Sequence, residues 1–146
     1  DISEHATTCA TENARRNHLQ DTCKFQTANT FDILREFYAN DQKFDTIVLD
    51  PPAFTKSKST IKGAIRGYKE INLRAMKIIN SGGFLITCSC SHHIDYDLFM
   101  DILFDAAADA KKQVRVVEER FQGKDHPTLL ASSETQYLKC IILQIY

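Results

Sequence analysis

The sequence predicts an α/β domain built on a mostly parallel sheet that closes with a C-terminal antiparallel hairpin. Three observations carry this. Helical segments alternate with short apolar runs, the pattern of a parallel sheet with helices wound on both faces. The clearest run, residues 44–49, reads Phe-Asp-Thr-Ile-Val-Leu and is apolar and β-branched enough for a strand buried on both faces. The last two strand-like segments follow one another with no helix between them, as the strands of a hairpin do. Size agrees: 146 residues, 25% charged and 43% hydrophobic, suit one globular domain over 1–146 and exclude a disulfide miniprotein or a disordered chain.

Element by element, Ala6, Ala10, Ala14 and Leu19 recur at helical spacing over 3–18, behind Ser3 as an N-cap candidate. A short strand is expected at 23–26 and a helix at 31–39, where Ile33, Leu34 and Phe37 form a narrow stripe. The strand at 44–49 stops at Asp50-Pro51-Pro52, and 53–63 is a polar, Lys/Ser-rich loop. Ile65, Tyr68, Ile71, Ala75 and Ile79 mark a helix over 64–80, ended by Ser81-Gly82-Gly83. A buried strand at 84–88 follows, then a helix capped by Asp95 and running to 110, then strands at 113–121 and 136–146. No internal repeat, low-complexity tract or interdomain linker interrupts this order.

The net charge of −1 is unevenly spread, because residues 55–77 carry seven basic side chains and one acidic one on an otherwise acidic chain. Five scattered cysteines without C-x-x-C spacing predict reduced thiols rather than a disulfide framework or structural zinc. No stretch approaches the ~20 apolar residues of a membrane helix, and the first residues lack a basic region followed by an apolar core, so a soluble, cytoplasmic protein is expected.

Two segments carry chemistry. In open α/β sheets ligands bind beyond the carboxyl ends of the strands, and Asp50-Pro51-Pro52-Ala53-Phe54 stands there. Two prolines fix φ twice and remove two donors, so the chain leaves the strand on a rigid path; an ordinary strand-ending turn has the same composition. The second segment is Thr87-Cys88-Ser89-Cys90-Ser91-His92-His93, after the next strong strand. If the two strands are neighbours, a carboxylate, a thiol and an imidazole converge on one substrate. Cys88 still lies in the apolar run and suits core packing, whereas Cys90 lies just beyond it. A Cys/His metal site is the competing reading, but the alternate spacing is a poor tetrahedral clamp.

The stretch from F-D-T-I-V-L-D-P-P-A-F-T-K-S-K through R-G-Y-K-E-I-N-L-R-A-M-K to S-G-G-F-L-I-T-C-S-C-S-H-H resembles the class I S-adenosylmethionine-dependent methyltransferases that form 5-methylcytosine in large-subunit ribosomal RNA. That bacterial family usually joins an RNA-binding PUA domain to a Rossmann-like catalytic domain. The similarity continues through Asp125-His126-Pro127 and Glu134-Thr135-Gln136-Tyr137-Leu138-Lys139 and covers nearly the whole chain. It implies that Asp1 accepts from the cofactor ribose, that Asn29-Thr30-Phe31 edges the adenine, with Asn29 where the family usually has aspartate, and that Asp50 to Phe54 is the substrate-base motif. It also implies that Cys90 is the cysteine that links covalently to cytosine. Asp50 would contribute to both the cofactor and the base side, and Pro51, Pro52 and Phe54 would line the base. The sulfonium of S-adenosylmethionine supplies the methyl group, so no metal is expected.

The basic run at Lys56, Lys58, Lys62, Arg66, Lys69, Arg74 and Lys77 suggests ribosomal RNA phosphate as counter-charge. Positions 66, 69, 74 and 77 read as a solvated helix face, which leaves RNA contact to Lys56, Lys58 and Lys62, with His92 as a further candidate. By the family comparison the first strand and its glycine-rich loop have no counterpart here, all five glycines lying at 63 or beyond. A catalytic-domain fragment is therefore expected, one that binds cofactor weakly, does not methylate alone and associates with itself or borrows a strand. Two other readings stand beside this one. An exocyclic-amine methyltransferase uses Asp/Asn-Pro-Pro followed directly by a stacking aromatic, and an inactive domain would only bind RNA or a partner.

Overall fold

The computed structural model describes residues 1–55 and 57–146. They form two compact units, Asp1–Glu36 and Phe37–Tyr146. In the first, helix α1 (Glu4–Arg16) starts where Ser3 is extended and its hydroxyl accepts from the Ala6 amide at 3.2 Å, satisfying a donor that the first turn would leave unpaired. Arg15 and Arg16 both reach the Glu12 carboxylate at 2.8 Å and sit at the negative end of the helix dipole.

No strand forms at 23–26. A strand persists only where a neighbour offers a ladder, and the backbone bonds here are isolated ones: the Cys23 amide donates to the Leu19 carbonyl at 2.9 Å, the Asp1 nitrogen to the Gln26 carbonyl at 3.1 Å and the Ala28 amide to the Asp1 carbonyl at 2.9 Å. Helix α2 (Thr30–Ala39) begins after Asn29, whose side-chain oxygen accepts from the Phe31 amide at 2.9 Å.

The second unit holds strands β1 (Phe44–Leu49), β2 (Ile79–Ser89), β3 (Val114–Arg120) and β4 (Lys139–Ile145), with helices α3 (Ile61–Ile78) and α4 (Tyr96–Ala110). The sheet order is β1-β2-β4-β3. β1 pairs in parallel with β2, and β4 is antiparallel to both β2 and β3, so three strands run one way and the last is inserted against them. β4 shows the strict alternation of a half-buried strand: Lys139, Ile141, Leu143 and Ile145 are buried, and Cys140, Ile142 and Gln144 only partly. With Leu85 of β2, Tyr68, Ile71, Met76 and Ile78 of α3 and Phe99 of α4, they make the core. Tyr68 and Phe99 meet edge to face at 5.6 Å, joining the two helices. Asp95 caps α4 through the Leu98 amide at 2.9 Å. No helix among the described residues is long and apolar enough to cross a membrane.

Two expectations need correction. β1 is not buried on both faces: it ends the sheet, with one neighbour, and Val48 is 61% exposed. Its apolar sequence alone suggests a central strand. Ser81-Gly82-Gly83 does not end the preceding helix either, because α3 stops at Ile78 and β2 begins at the next residue. The register jumps from Phe44↔Ile79 to Thr46↔Phe84, so residues 80–83 form a bulge inside the strand. Gly82 there has φ +87°, and a Cβ on Gly83 would lie 2.6 Å from the Asp45 carbonyl oxygen.

Gly83→Ala is accordingly expected to lower stability by about 1–3 kcal/mol, whereas Gly63→Ala, in α3 with nothing within 4 Å of the added methyl, should raise it by up to about 1 kcal/mol. Urea unfolding of the two variants beside the parent chain checks both signs.

Candidate active site

Because β1 and β2 are parallel neighbours, with Leu49 opposite Thr87, their carboxyl ends emerge together. Asp50, exposed, is the first residue beyond β1. On the other side Cys90, half-buried, has its Sγ 4.0 Å from the Pro51 carbonyl oxygen, at the outer limit of a sulfur hydrogen bond. The acidic Asp50 motif and the cysteine segment therefore occupy one place at the edge of the sheet.

Buried polar groups hold the turn that carries Cys90. Ser89 and Ser91, its two neighbours, are fully buried. The Ser91 amide donates to the Ser89 hydroxyl at 3.4 Å, and the Ser91 hydroxyl pairs with the Tyr68 hydroxyl at 2.9 Å. The Ser91 carbonyl accepts from the Ile94 amide at 3.1 Å and from the Lys139 ammonium at 2.9 Å. Fixing both flanking residues leaves the cysteine between them little backbone freedom.

Cys88 is placed differently. It is 8% exposed and stands directly across the ladder from Cys140. Burial above all, then the Cys140 thiol beside it and the charges of Asp50 and Cys90, push the Cys88 thiol up to about 12, so it stays protonated at neutral pH.

The loop after β1 is anchored on α3. The Phe54 ring lies 4.5 Å from that of Tyr68, tilted by 38°, and sits over Gly67, where a Cβ would come within 3.0 Å of it. Thr55 is buried, and its hydroxyl contacts the Thr60 hydroxyl at 2.6 Å and the Ser57 carbonyl at 2.7 Å, closing the loop on itself. Pro52 is exposed and Pro51 half-buried. Among the basic residues, Lys56 lies outside the described residues, as does the side chain of Lys58, while Lys62 is exposed in the first turn of α3. Lys69 is engaged by Asp109 at 2.9 Å and Asp105 at 3.6 Å, Arg74 by Glu70 at 2.9 Å, and Lys77 lies over the Tyr38 ring at 5.6 Å. That pairing accords with a helix face rather than an RNA surface. The His92 Nε2 stands 3.7 Å from the Glu134 carboxylate.

A cavity of about 610 Å³ adjoins the turn, lined by His92, Asp95, Tyr96, Phe121, Gln136 and Lys139 among others. Hydrogen bonding to Glu119 raises the Tyr96 phenol above its ordinary range. Sequence reasoning includes Ser91 in the cysteine segment but misses Tyr68 and Lys139 as its partners. For Lys139 a signal exists, since a lysine at an inward position of an alternating strand breaks the pattern. Tyr68 shows in the sequence only as a member of a helical stripe.

In the first unit Asp1 and Asn29 stand close in the chain path, joined by the Ala28 to Asp1 backbone bond. Asp1 Oδ1 accepts from the Ser3 amide at 2.8 Å, and the other carboxylate oxygen has no partner among the described residues. Asn29 and Thr30 are exposed and Phe31 is half-buried at the start of α2. No group of three or more His, Cys, Asp or Glu among the described residues could hold a metal ion.

A sheet with one reversed strand inserted between two others, helices between the parallel strands and an Asp-Pro-Pro turn at its edge define the α/β class I methyltransferase fold. The chain belongs to the methyltransferase domain family, whose profile matches residues 1–135. It is 42% identical over 147 residues to a ribosomal RNA large subunit methyltransferase I of Shewanella denitrificans, covering 100% of this chain and 37% of that protein. It is 46% identical over 142 residues to the protein of that name from Vibrio campbellii, covering 95% of this chain and 36% of the relative. A structure described as a methyltransferase complexed with SAH superposes with a TM-score of 0.80 at 15% identity, over 99% of this chain and 37% of that one. The chain thus spans a little over a third of the length of the curated relatives it matches.

The contrast between the two neighbouring cysteines is directly measurable. Alkylation with iodoacetamide at pH 8, read residue by residue from fragment ions because Cys88 and Cys90 share one peptide, should label Cys90 well before Cys88, and Cys88 should gain reactivity only as pH rises toward 12, where its protonated form is lost. Equal labelling of the two at pH 8 would contradict the burial argument.

Proposed function

We propose that this chain forms the base-binding side of an S-adenosylmethionine-dependent methyltransferase that makes 5-methylcytosine in 23S ribosomal RNA, with Cys90 as the nucleophile. The observation that carries the reading is the Cys90 turn, pinned by buried polar groups 4.0 Å from the Asp50-Pro51-Pro52 backbone, while its neighbour Cys88 is kept protonated. Carbon 5 of cytosine is a poor nucleophile. Addition of the Cys90 thiolate to carbon 6 forms an S–C bond and shifts electron density to carbon 5; once carbon 5 carries its methyl, loss of its proton and departure of Cys90 restore the ring. The Asp50 carboxylate accepts a hydrogen bond from the exocyclic amine and so orients the base toward Cys90. Pro51 and Pro52 shape the base side on a path that Phe54 anchors through Tyr68.

The residues of the first unit suit the cofactor in part. The free carboxylate oxygen of Asp1 can accept from a ribose hydroxyl. The Asn29 oxygen, already taking the Phe31 amide, retains a lone pair for an adenine amine, with Thr30 and Phe31 beside it. Bound S-adenosylmethionine supplies the activated methyl group. Lys56, Lys58, Lys62 and His92 are assigned to phosphate contact, and the full activity, the PUA partner module and the cytoplasmic setting belong to the same proposal. An exocyclic-amine methyltransferase is disfavoured because the aromatic after the prolines, Phe54, packs on Tyr68 and Gly67.

The reading is tested with this chain exchanged for the matching segment of the Vibrio campbellii relative. RNA containing 5-fluorocytosine should trap a covalent adduct in the exchanged protein and in its Cys88→Ala form, and none in Cys90→Ala. An adduct that survives Cys90→Ala overturns the assignment. In the same protein, joint replacement of Lys56, Lys58 and Lys62 by Ala should make the salt dependence of RNA binding shallower, by roughly one unit of slope for each phosphate no longer neutralised.

A further inference from the structure

Cys88 and Cys140 face each other across the antiparallel β2–β4 ladder. Directly opposed residues of such a ladder point to the same side of the sheet, and their Cα atoms lie about 4.5–5.5 Å apart, inside the span of about 4.4–6.8 Å that a disulfide bridges. The pairing is continuous from Phe84↔Gln144 to Ser89↔Lys139, so the sheet itself holds the two cysteines in opposition. Both are free thiols. Cys9 and Cys23 belong to the first unit, and Cys90 lies beyond the last paired residue of β2.

The two thiols differ in access. Cys88 is 8% exposed, and its proton is held first of all by burial and next by the Cys140 thiol beside it. Cys140 is half-buried. On its other side, in the β3–β4 ladder, stands Arg120, engaged by Glu118 at 2.7 Å. Along the same row the next opposed pair is Ile86 and Ile142, which closes that end with apolar side chains. A reagent from solvent therefore meets Cys140 first, and the thiol that can resolve the product stands directly across the ladder.

We propose that Cys88 and Cys140 are a reversible thiol–disulfide pair, oxidised by a small-molecule disulfide, whose closure ties β2 to β4 just before the turn that carries Cys90. The Cys140 thiolate attacks one sulfur of the small disulfide; that S–S bond breaks, one small thiol leaves, and a mixed disulfide forms on Cys140. Cys88 then gives up its proton as its sulfur attacks that of Cys140; the mixed disulfide breaks, the second small thiol takes up a proton, and the Cys88–Cys140 bond closes. Two protein thiols are oxidised and one small disulfide is reduced to two thiols, so a thiol reductant reverses the exchange. The second step is intramolecular, and the effective concentration of opposed thiols offsets the low thiolate fraction of Cys88. In a reducing compartment such a bond is transient, as redox-sensing disulfides are. The inference depends neither on the role of Cys90 nor on the methyltransferase reading.

The test is to expose the native chain to hydroxyethyl disulfide at about pH 8, quench with acid and map the bonds by mass spectrometry. Fragment ions are needed because Cys88 and Cys90 share one peptide. They should place a bond between Cys88 and Cys140 of a single chain, lost on addition of dithiothreitol. Cys90→Ala should form that bond as the parent does. Cys88→Ala should lose it and retain the mixed disulfide on Cys140, whereas Cys140→Ala should lose it and leave Cys88 unmodified. Absence of a bond to Cys140, a bond from Cys90 in place of Cys88, or links only between chains overturns the proposal. So does a native chain that yields the same mixture of linked cysteines as the chain unfolded in urea. Should Cys88→Ala not fold, as judged by circular dichroism, Cys140→Ala decides: Cys88 that still takes up the reagent there shows that it needs no partner, and the pair is refuted.

Discussion

The hydrogen-bonded turn Ser89-Cys90-Ser91 is the constraint on which the site depends. Its two serines are sealed in the interior and bonded from α3 through Tyr68, from the backbone of Ile94 and from β4 through Lys139. Two separate elements, α3 and β4, and the turn's own backbone thus meet on one residue, Ser91. Removing the Tyr68 hydroxyl would leave the buried Ser91 hydroxyl without that partner, which costs more than the bond itself contributes. The cysteine between the serines inherits that rigidity without being buried itself.

The same turn depends on the register of β1 against β2. The bulge at residues 80–83 absorbs the extra length of β2, made possible by the positive φ of Gly82 and the absence of a side chain on Gly83. Beyond it the two strands march in step to Leu49 and Thr87, so Asp50-Pro51-Pro52 and Cys90 leave the sheet at one level. A shift of one residue would turn Leu85 and Thr87 from the core to the other face, and the hydrophobic cost of that exchange holds the register. Phe54, packed on Tyr68, ties the far end of the Asp50 loop to the residue that also anchors Ser91. Tyr68 is therefore shared by both arms of the site.

Charge is sorted by the fold as much as by the sequence. The basic stretch reads as continuous along the chain, yet Lys69 and Arg74 are engaged by carboxylates and Lys77 by an aromatic ring. Such exposed pairs contribute little stability, but they take these cations out of a common positive surface. Lys62 is exposed at the opening of α3, just after the Asp50 loop in the chain.

Much of this was legible in the sequence, because periodicity and capping act locally. The stripe at Tyr68, Ile71 and Ala75, the Asp95 cap and the run at 44–49 each report the conformation of their own segment. That Asp50 and Cys90 stand at strand ends could be read for the same reason, since each follows directly on a strand. What could not be read was anything that depends on a neighbour distant in the chain. The segment at 23–26 lacks a ladder partner, and Gly83 accommodates the Asp45 backbone rather than ending a helix. Lys139 and Ser91 lie 48 residues apart, and only the antiparallel insertion of β4 beside β2 brings them to 2.9 Å. Local sequence determines which backbone dihedrals are favourable; long-range pairing decides which polar groups share a dry interior, because that depends on the order in which strands are laid side by side.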